Sequence, residues 1–468
     1  LFGADAGASL TTASQSVFIG SQAGASPLTG NANIGIGYDA LNGATTTGDH
    51  NIAIGLSAGD ALTSGYANTL MGKDAGGALN SGARSVLIGH EAGASITSGY
   101  LNVVVGYQAA DALLNGTSNV IIGNRSLGTA DGAEKNNVCI GTDVMSSVNN
   151  DKADSNIAIG NDSLTGGTGG LLGNIAIGIN ALNSTGANIV TGSVAIGHNA
   201  LTANTSGYYN TAIGYESLKA NQTGAANTAL GYLSLTANTG NNNTAVGFAS
   251  LKTNAAGGQN TAVGQESLFT NATTSNNTAL GFQAGYTTTG TENTYVGHSA
   301  GKGGSGAENY NTAVGATALK SITDGGYNVA LGSRSGEDLT TGDFNVFVGD
   351  YAGHATVDGD KCIAIGHSAL AANVTSNGDG TVAIGYQSAA ALTSAADCVA
   401  IGENSMLEHT TGRANTAIGS HAMYASGNDA TAQDNVFVGA FAGGGTWAGA
   451  GIDANIGIGY TALYGPMN

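Results

Sequence analysis

The sequence predicts an all-β chain: a repetitive parallel β-solenoid, or β-roll, of about 27 turns of ~17 residues. Three observations predict it: one short phrase recurs throughout, the composition suits a coil of small residues, and the phrase is apolar on both faces of a strand. One copy of the phrase is Asn210-Thr211-Ala212-Ile213-Gly214-Tyr215-Glu216-Ser217-Leu218. Aligned on its Gly, the phrase occurs 26 times from Gly20 to Gly459, with a truncated copy at Gly3. The spacing is 16 to 20 residues, usually 17. Gly supplies 78 residues, Pro only 2, and charged residues 9%. The absence of a Gly-X-Y period excludes collagen, and 41% hydrophobic content excludes a disordered chain.

The position before the Gly is Ile, Val, Leu or Met in all 26 copies, and the position three before it is Ile, Val or Thr. Side chains alternate along a strand, so these two columns share a face. The column between them is mostly Ala, with Phe18, Leu70, Leu87, Val104, Ile121, Tyr295, Phe347 and Phe437 among the exceptions. Apolar residues on both faces mark a strand buried on both sides. The reading that follows places the Ile/Val/Thr face inside the coil, with Leu218 and its counterparts closing the same core. The small-residue column then lies against another chain or layer, in an oligomer wound about a common axis. The residue before Leu218 is Ala or Ser in every copy but Val144, which predicts a tight corner.

Four residues before the Gly, 20 of the 26 copies have Asn, which can form a hydrogen-bonded ladder from turn to turn. The 8 to 12 residues between phrases are rich in Gly, Asn, Thr and Ser and carry the length variation, so insertions map to one side of the coil. Turns stacked about 4.8 Å apart give a rod of roughly 130 Å. The chain reads as one continuous domain, residues 1–468. Leu1-Phe2-Gly3 already looks like the end of a repeat, which predicts a segment of a longer fibre protein.

A net charge of −19 disfavours nucleic acid and anionic membrane surfaces as partners. No apolar run is long enough for a transmembrane helix, so no membrane insertion is expected in this segment. Cys139, Cys362 and Cys398 are odd in number and widely spaced, which points to neither a disulfide framework nor a zinc site.

The phrases Asn-Thr-Ala-Ile-Gly and Ser193-Val-Ala-Ile-Gly197 resemble the head repeats of YadA-like trimeric autotransporter adhesins. The longer unit, as in Asn243 to Leu251, is similar to repeats of bacteriophage tail-fibre proteins and related bacterial surface fibres. The resemblance covers essentially the whole chain. It implies a homotrimeric, left-handed parallel β-roll with an attachment role, located outside the cell on a virion or bacterial surface. The period is longer than in the adhesin heads, and no coiled-coil stalk or anchor barrel is recognisable.

No catalytic, cofactor or metal constellation emerges, and an enzyme is not expected. His90, His198, His298 and His367 all follow the repeat Gly, in a column that also holds Tyr, Asn, Gln, Asp and Ser. They are turns apart within one chain, so only a symmetric ring from three chains could gather them on a metal. The acidic loops at 149–154 and 358–360 lack the order of a calcium loop, and residues 301–306 lack the order of a P-loop. Trp447, on a Gly-rich loop, is a candidate contact to a host surface receptor or glycan. The expected function is a fibre shaft presenting a host- or surface-binding face, as in a phage or virion tail fibre, with a bacterial trimeric adhesin as the alternative. A hexapeptide-type acyltransferase is disfavoured because most of each turn is polar. An ice-binding solenoid is the remote alternative: Thr211, Thr228, Thr244, Thr261, Thr278, Thr294 and Thr312 recur, but this reading points them inward.

Overall fold

A computed structural model of the chain describes residues 1–465 except 131, 149–151, 168, 187, 305, 376–377, 425–431 and 446–452. The chain divides into two compact units, Leu1–Gly240 and Asn241–Asn468. Each is a parallel β-solenoid, with no α-helix among the described residues.

Unit 1 carries thirteen three-residue strands of the repeat phrase, from Val17–Ile19 to Thr228–Leu230. Unit 2 carries thirteen more, from Thr244–Val246 to Ile456–Ile458. Successive strands pair in parallel with identical columns opposed: Thr211, Ala212 and Ile213 face Thr228, Ala229 and Leu230. This register holds in both units although the loops vary in length. Only one register keeps the buried column buried, because a one-residue slip would turn every side chain to the other face.

The two strand faces are the reverse of the sequence expectation. In every repeat strand the middle residue is buried and its two neighbours are half-buried or exposed. The Ala column and its aromatic exceptions therefore form the interior, and the Ile/Val/Thr columns point outward. The reason is the width of the coil. Each turn holds a thin slice of core, filled by the middle strand residue, the residue four after the Gly and the residue near the far corner. Ala212 and Leu218 fill two of these places and are fully buried. Burying a side chain such as Leu218 contributes about 1.5–3 kcal/mol.

Corner geometry lets the stack close. Glu216 and Leu218 both adopt left-handed backbone, with φ of 52° and 49°. That conformation is uncommon for residues with a Cβ and costs on the order of 1 kcal/mol each. It directs their N–H groups along the coil axis in opposite senses. Glu216 N donates to His198 O of the preceding turn at 3.0 Å, and Leu218 N donates to Ser234 O of the next turn at 3.0 Å. Even the corners are thus hydrogen-bonded between turns, as buried backbone requires. Gly214 has φ of 133°, and a Cβ there would overlap the Gly231 carbonyl. Only glycine satisfies both constraints.

The Asn ladder forms as expected. Asn210 Nδ2 donates to Gly224 O at 2.8 Å, and its Oδ1 accepts from Asn227 N at 3.0 Å and Asn227 Nδ2 at 3.2 Å. Cys362 and Cys398 occupy the same column, where their thiols donate to Gly378 O and Gly412 O at 3.7 and 3.5 Å. All three cysteines are free and buried. Burial pushes the Cys139 thiol up to about 12 and the other two to about 11.

One element was not expected. In unit 1 the loops between phrases lengthen, and three two-residue strands, Ala153–Asp154, Leu171–Leu172 and Val190–Thr191, build a second parallel sheet. Ala153, Leu171 and Val190 point into the core, which is how the lengthened turns stay filled.

Candidate functional site

The candidate site is the outward strand face of each unit. Its two columns are β-branched or aliphatic throughout, apart from Thr, and none of the 26 copies carries a charge in either. Thr211 and Ile213 lie on this face, half-buried by their neighbours along the sheet. Exposure is 45% at Leu230 in unit 1 and 48% at Leu280 in unit 2. An uncharged, partly exposed face of this kind is a candidate interaction surface. Asn210 and Gly214 set the backbone behind the face, and Leu218 fills the core beneath it. The five residues expected to form the structural repeat thus come together in one turn. Trp447 lies outside the described residues.

Along this face the column three before the Gly changes character. In unit 2 it begins with five Thr in register, Thr244, Thr261, Thr278, Thr294 and Thr312. Val329, Val346 and Ile363 follow. The sequence reading turned these threonines inward; they point out, with Thr261 and Thr278 exposed.

A ring column borders the face. His198, Tyr215 and Tyr232 follow the repeat Gly in successive turns of unit 1 and stack at 5.4 and 5.2 Å. His90 stacks on Tyr107, Phe282 on His298 and His367 on Tyr386 in the same way. The histidines of this column therefore sit in short aromatic stacks.

Known protein families and curated proteins offer no match to this chain.

Two further places were missed by sequence reasoning because several turns build them jointly. In unit 2, Glu308 is fully buried in a column usually occupied by Gly, in the same interior as Tyr295. Glu308 Oε1 accepts from Thr289 N at 3.3 Å, while its Oε2 and Tyr295 Oη make no hydrogen bond of ordinary geometry. Burial first of all, then Asp324, raises the Glu308 carboxyl to about 8, against the pull of its backbone and Thr288 hydrogen bonds. Burial and then the Glu308 charge hold the Tyr295 hydroxyl well above its ordinary range. In unit 1, a polar groove opens at the corner, lined by Gln108, Asp111, Arg125, Gly128, Asp143 and Ser146. Among the described residues, no helix is long and apolar enough to cross a membrane.

Proposed function

We propose that this chain is the shaft of an extracellular fibre, on a virion or bacterial surface, that self-associates as a homotrimer and presents a host- or surface-binding face. The outward, uncharged Ile/Val/Thr face carries the reading. A parallel sheet is ordinarily covered on both sides, and here the coil covers only one. Three copies packed face to face would remove the rest from water with no charge to desolvate. The resemblance to tail-fibre and trimeric-adhesin repeats supports the same assembly, and the ladders running along the stack suit a rigid shaft. Light scattering of the purified chain tests it. A mass of three chains, lost only on boiling in detergent, is expected; a mass of one chain contradicts it.

A second reading is favoured by one observation, the outward Thr row of unit 2. Evenly spaced hydroxyls on a flat sheet could match an ordered water lattice, as an ice-binding surface requires. It needs the same face to be free, so the two readings exclude each other. A one-chain mass together with thermal hysteresis that disappears in Thr261→Tyr would establish the second and end the first.

A further inference from the structure

The polar groove of unit 1 has a volume of about 310 Å³, large enough for a small molecule. It exists because Gly128 has no side chain; a Cβ there would stand 3.3 Å from Asp111 Oδ1. The charges around it are mostly matched. Arg125 Nη2 pairs with Asp143 Oδ2 at 2.9 Å. Gln108 Nε2 donates to Glu91 Oε2 at 2.7 Å, which leaves Gln108 Oε1 able to accept. Asp111 is the exception. Its carboxylate is half-buried and is held by backbone N–H groups of Asp111 and Ala112, and among the described residues no ion pair reaches it, the Arg125 of the same groove being taken by Asp143. Burial first, and Glu91 in addition, raise its carboxyl above the ordinary range.

The arrangement occurs twice. Three turns earlier, Gly77 leaves the same notch beside Asp60, and a Cβ at Gly77 would stand 3.7 Å from Asp60 Oδ1. There Asp74 is taken by Lys73 at 2.9 Å, and Asp60 is raised by burial and then by the Asp74 and Asp39 charges. Both notches hold a carboxylate without an ion-pair partner among the described residues. The larger one also offers the remaining guanidinium N–H groups of Arg125, the Gln108 carbonyl and the Ser146 hydroxyl. Thr129 completes the lining, which offers carbon as well as polar atoms.

We infer that the Asp111/Gly128 groove, and its smaller counterpart at Asp60/Gly77, bind the ammonium group of a small hydroxylated ligand, the chemistry of an amino sugar. The ammonium pairs with the carboxylate, and the hydroxyls exchange hydrogen bonds with Arg125, Gln108 and Ser146. A plain alkylammonium, such as a lysine side chain, has no hydroxyls for those groups. A neutral sugar leaves the carboxylate without a cation. The inference goes beyond the fibre reading: the binding readout does not report assembly, and the native mass does not report the ligand, so either can fail alone.

Saturation-transfer difference NMR on the full chain tests it, with D-glucosamine, N-acetyl-D-glucosamine, D-glucose and n-butylamine as probes at about pH 6.5, where the amines are protonated. Glucosamine is expected to give a signal at least about tenfold stronger than the other three, the worth of one charge-assisted contact. Asp111→Asn should remove most of it, and Asp60→Asn with Asp111→Asn all of it. Gly128→Ser fills the larger notch while leaving its charges in place and should also weaken binding. An equal signal from N-acetylglucosamine or butylamine, no signal from glucosamine, or a full signal in the doubly substituted chain overturns the assignment.

Discussion

The turns at Gly72 and Gly89 in unit 1 and those at Gly247 and Gly264 in unit 2 solve the same packing problem with different residues. In the first group the middle strand residue grows to Leu70 and Leu87, the corner residue shrinks to Gly76 and Gly93, and the far corner holds Leu79 and Ile96. In the second group the strand residue is Ala245 or Ala262, the corner residue is Leu251 or Leu268, and the far corner holds Asn254 or Asn271. The difference teaches that the repeat conserves the volume of each slice and not the residue in each column. Ala in one column goes with Leu in another, because interiors are filled to crystal-like density.

The aromatic turns are the extreme case. Phe18, Phe347 and Phe437 are each followed six residues later by Gly, at Gly24, Gly353 and Gly443. A Cβ on those glycines would stand 2.5, 2.6 and 2.7 Å from the ring. The largest expected effect breaks this exchange. Phe347→Ala should destabilise unit 2 by about 3–5 kcal/mol, and Gly353→Leu alone by about 1–3 kcal/mol through overpacking. The double substitution recreates the Ala-and-Leu slice of the Gly247 turn and should recover most of the loss. Thermal unfolding of the four chains reads the coupling; simple additivity would refute volume exchange.

A second prediction uses the polar slice at Glu308. Its carboxyl is raised to about 8 in the folded chain, above the ordinary value of about 4.3 in the unfolded one. The folded state therefore holds the proton more tightly, and the stability this adds is full below about pH 4 and is lost as pH rises toward about 8. The unfolding midpoint of unit 2 should fall over that interval, and Glu308→Gln should flatten the dependence. A midpoint that rises with pH in the parent chain and is unchanged by Glu308→Gln would contradict the placement of this side chain.

A smaller effect sharpens the comparison of corners. Where the far corner is Asn, one carbonyl receives two amides: Gly224 O accepts from Asn210 Nδ2 and Asn221 Nδ2 at 2.8 and 2.9 Å. Where it is Leu, the ladder Asn acts without that partner, as Asn68 Nδ2 does on Gly82 O at 2.9 Å. Removing a partner from a buried carbonyl costs about 1–3 kcal/mol. Asn68→Ala should therefore cost more than Asn210→Ala, read as faster amide exchange in the flanking turns. Equal costs would show that the second amide adds nothing.

The repeat, its register, the invariant Gly and the Asn ladder were all legible in the sequence, because each depends on one column repeating at a fixed spacing. The inside of the coil was not. A period of two separates the strand faces, but both faces are apolar and hydrophobicity cannot rank them. The ranking signal lay in pairs of columns: each Phe in the strand is matched by Gly six residues on, which only a shared interior demands. The groove at Asp111 and the buried Glu308 were invisible for a related reason. They depend on one missing or one extra side chain relative to the turns above and below. The second sheet at Leu171 and Val190 has strands two residues long, too short for an alternation to register.

The central claim is that the outward Ile/Val/Thr face is covered by other copies of the chain. Leu280→Cys tests it most directly, because Leu280 is 48% exposed on that face while the native thiols are buried and raised by burial. Maleimide labelling of the native assembly should leave the new thiol unmodified, and labelling after denaturation should reach it. Labelling of the native protein at the rate of a free exposed thiol would contradict the claim.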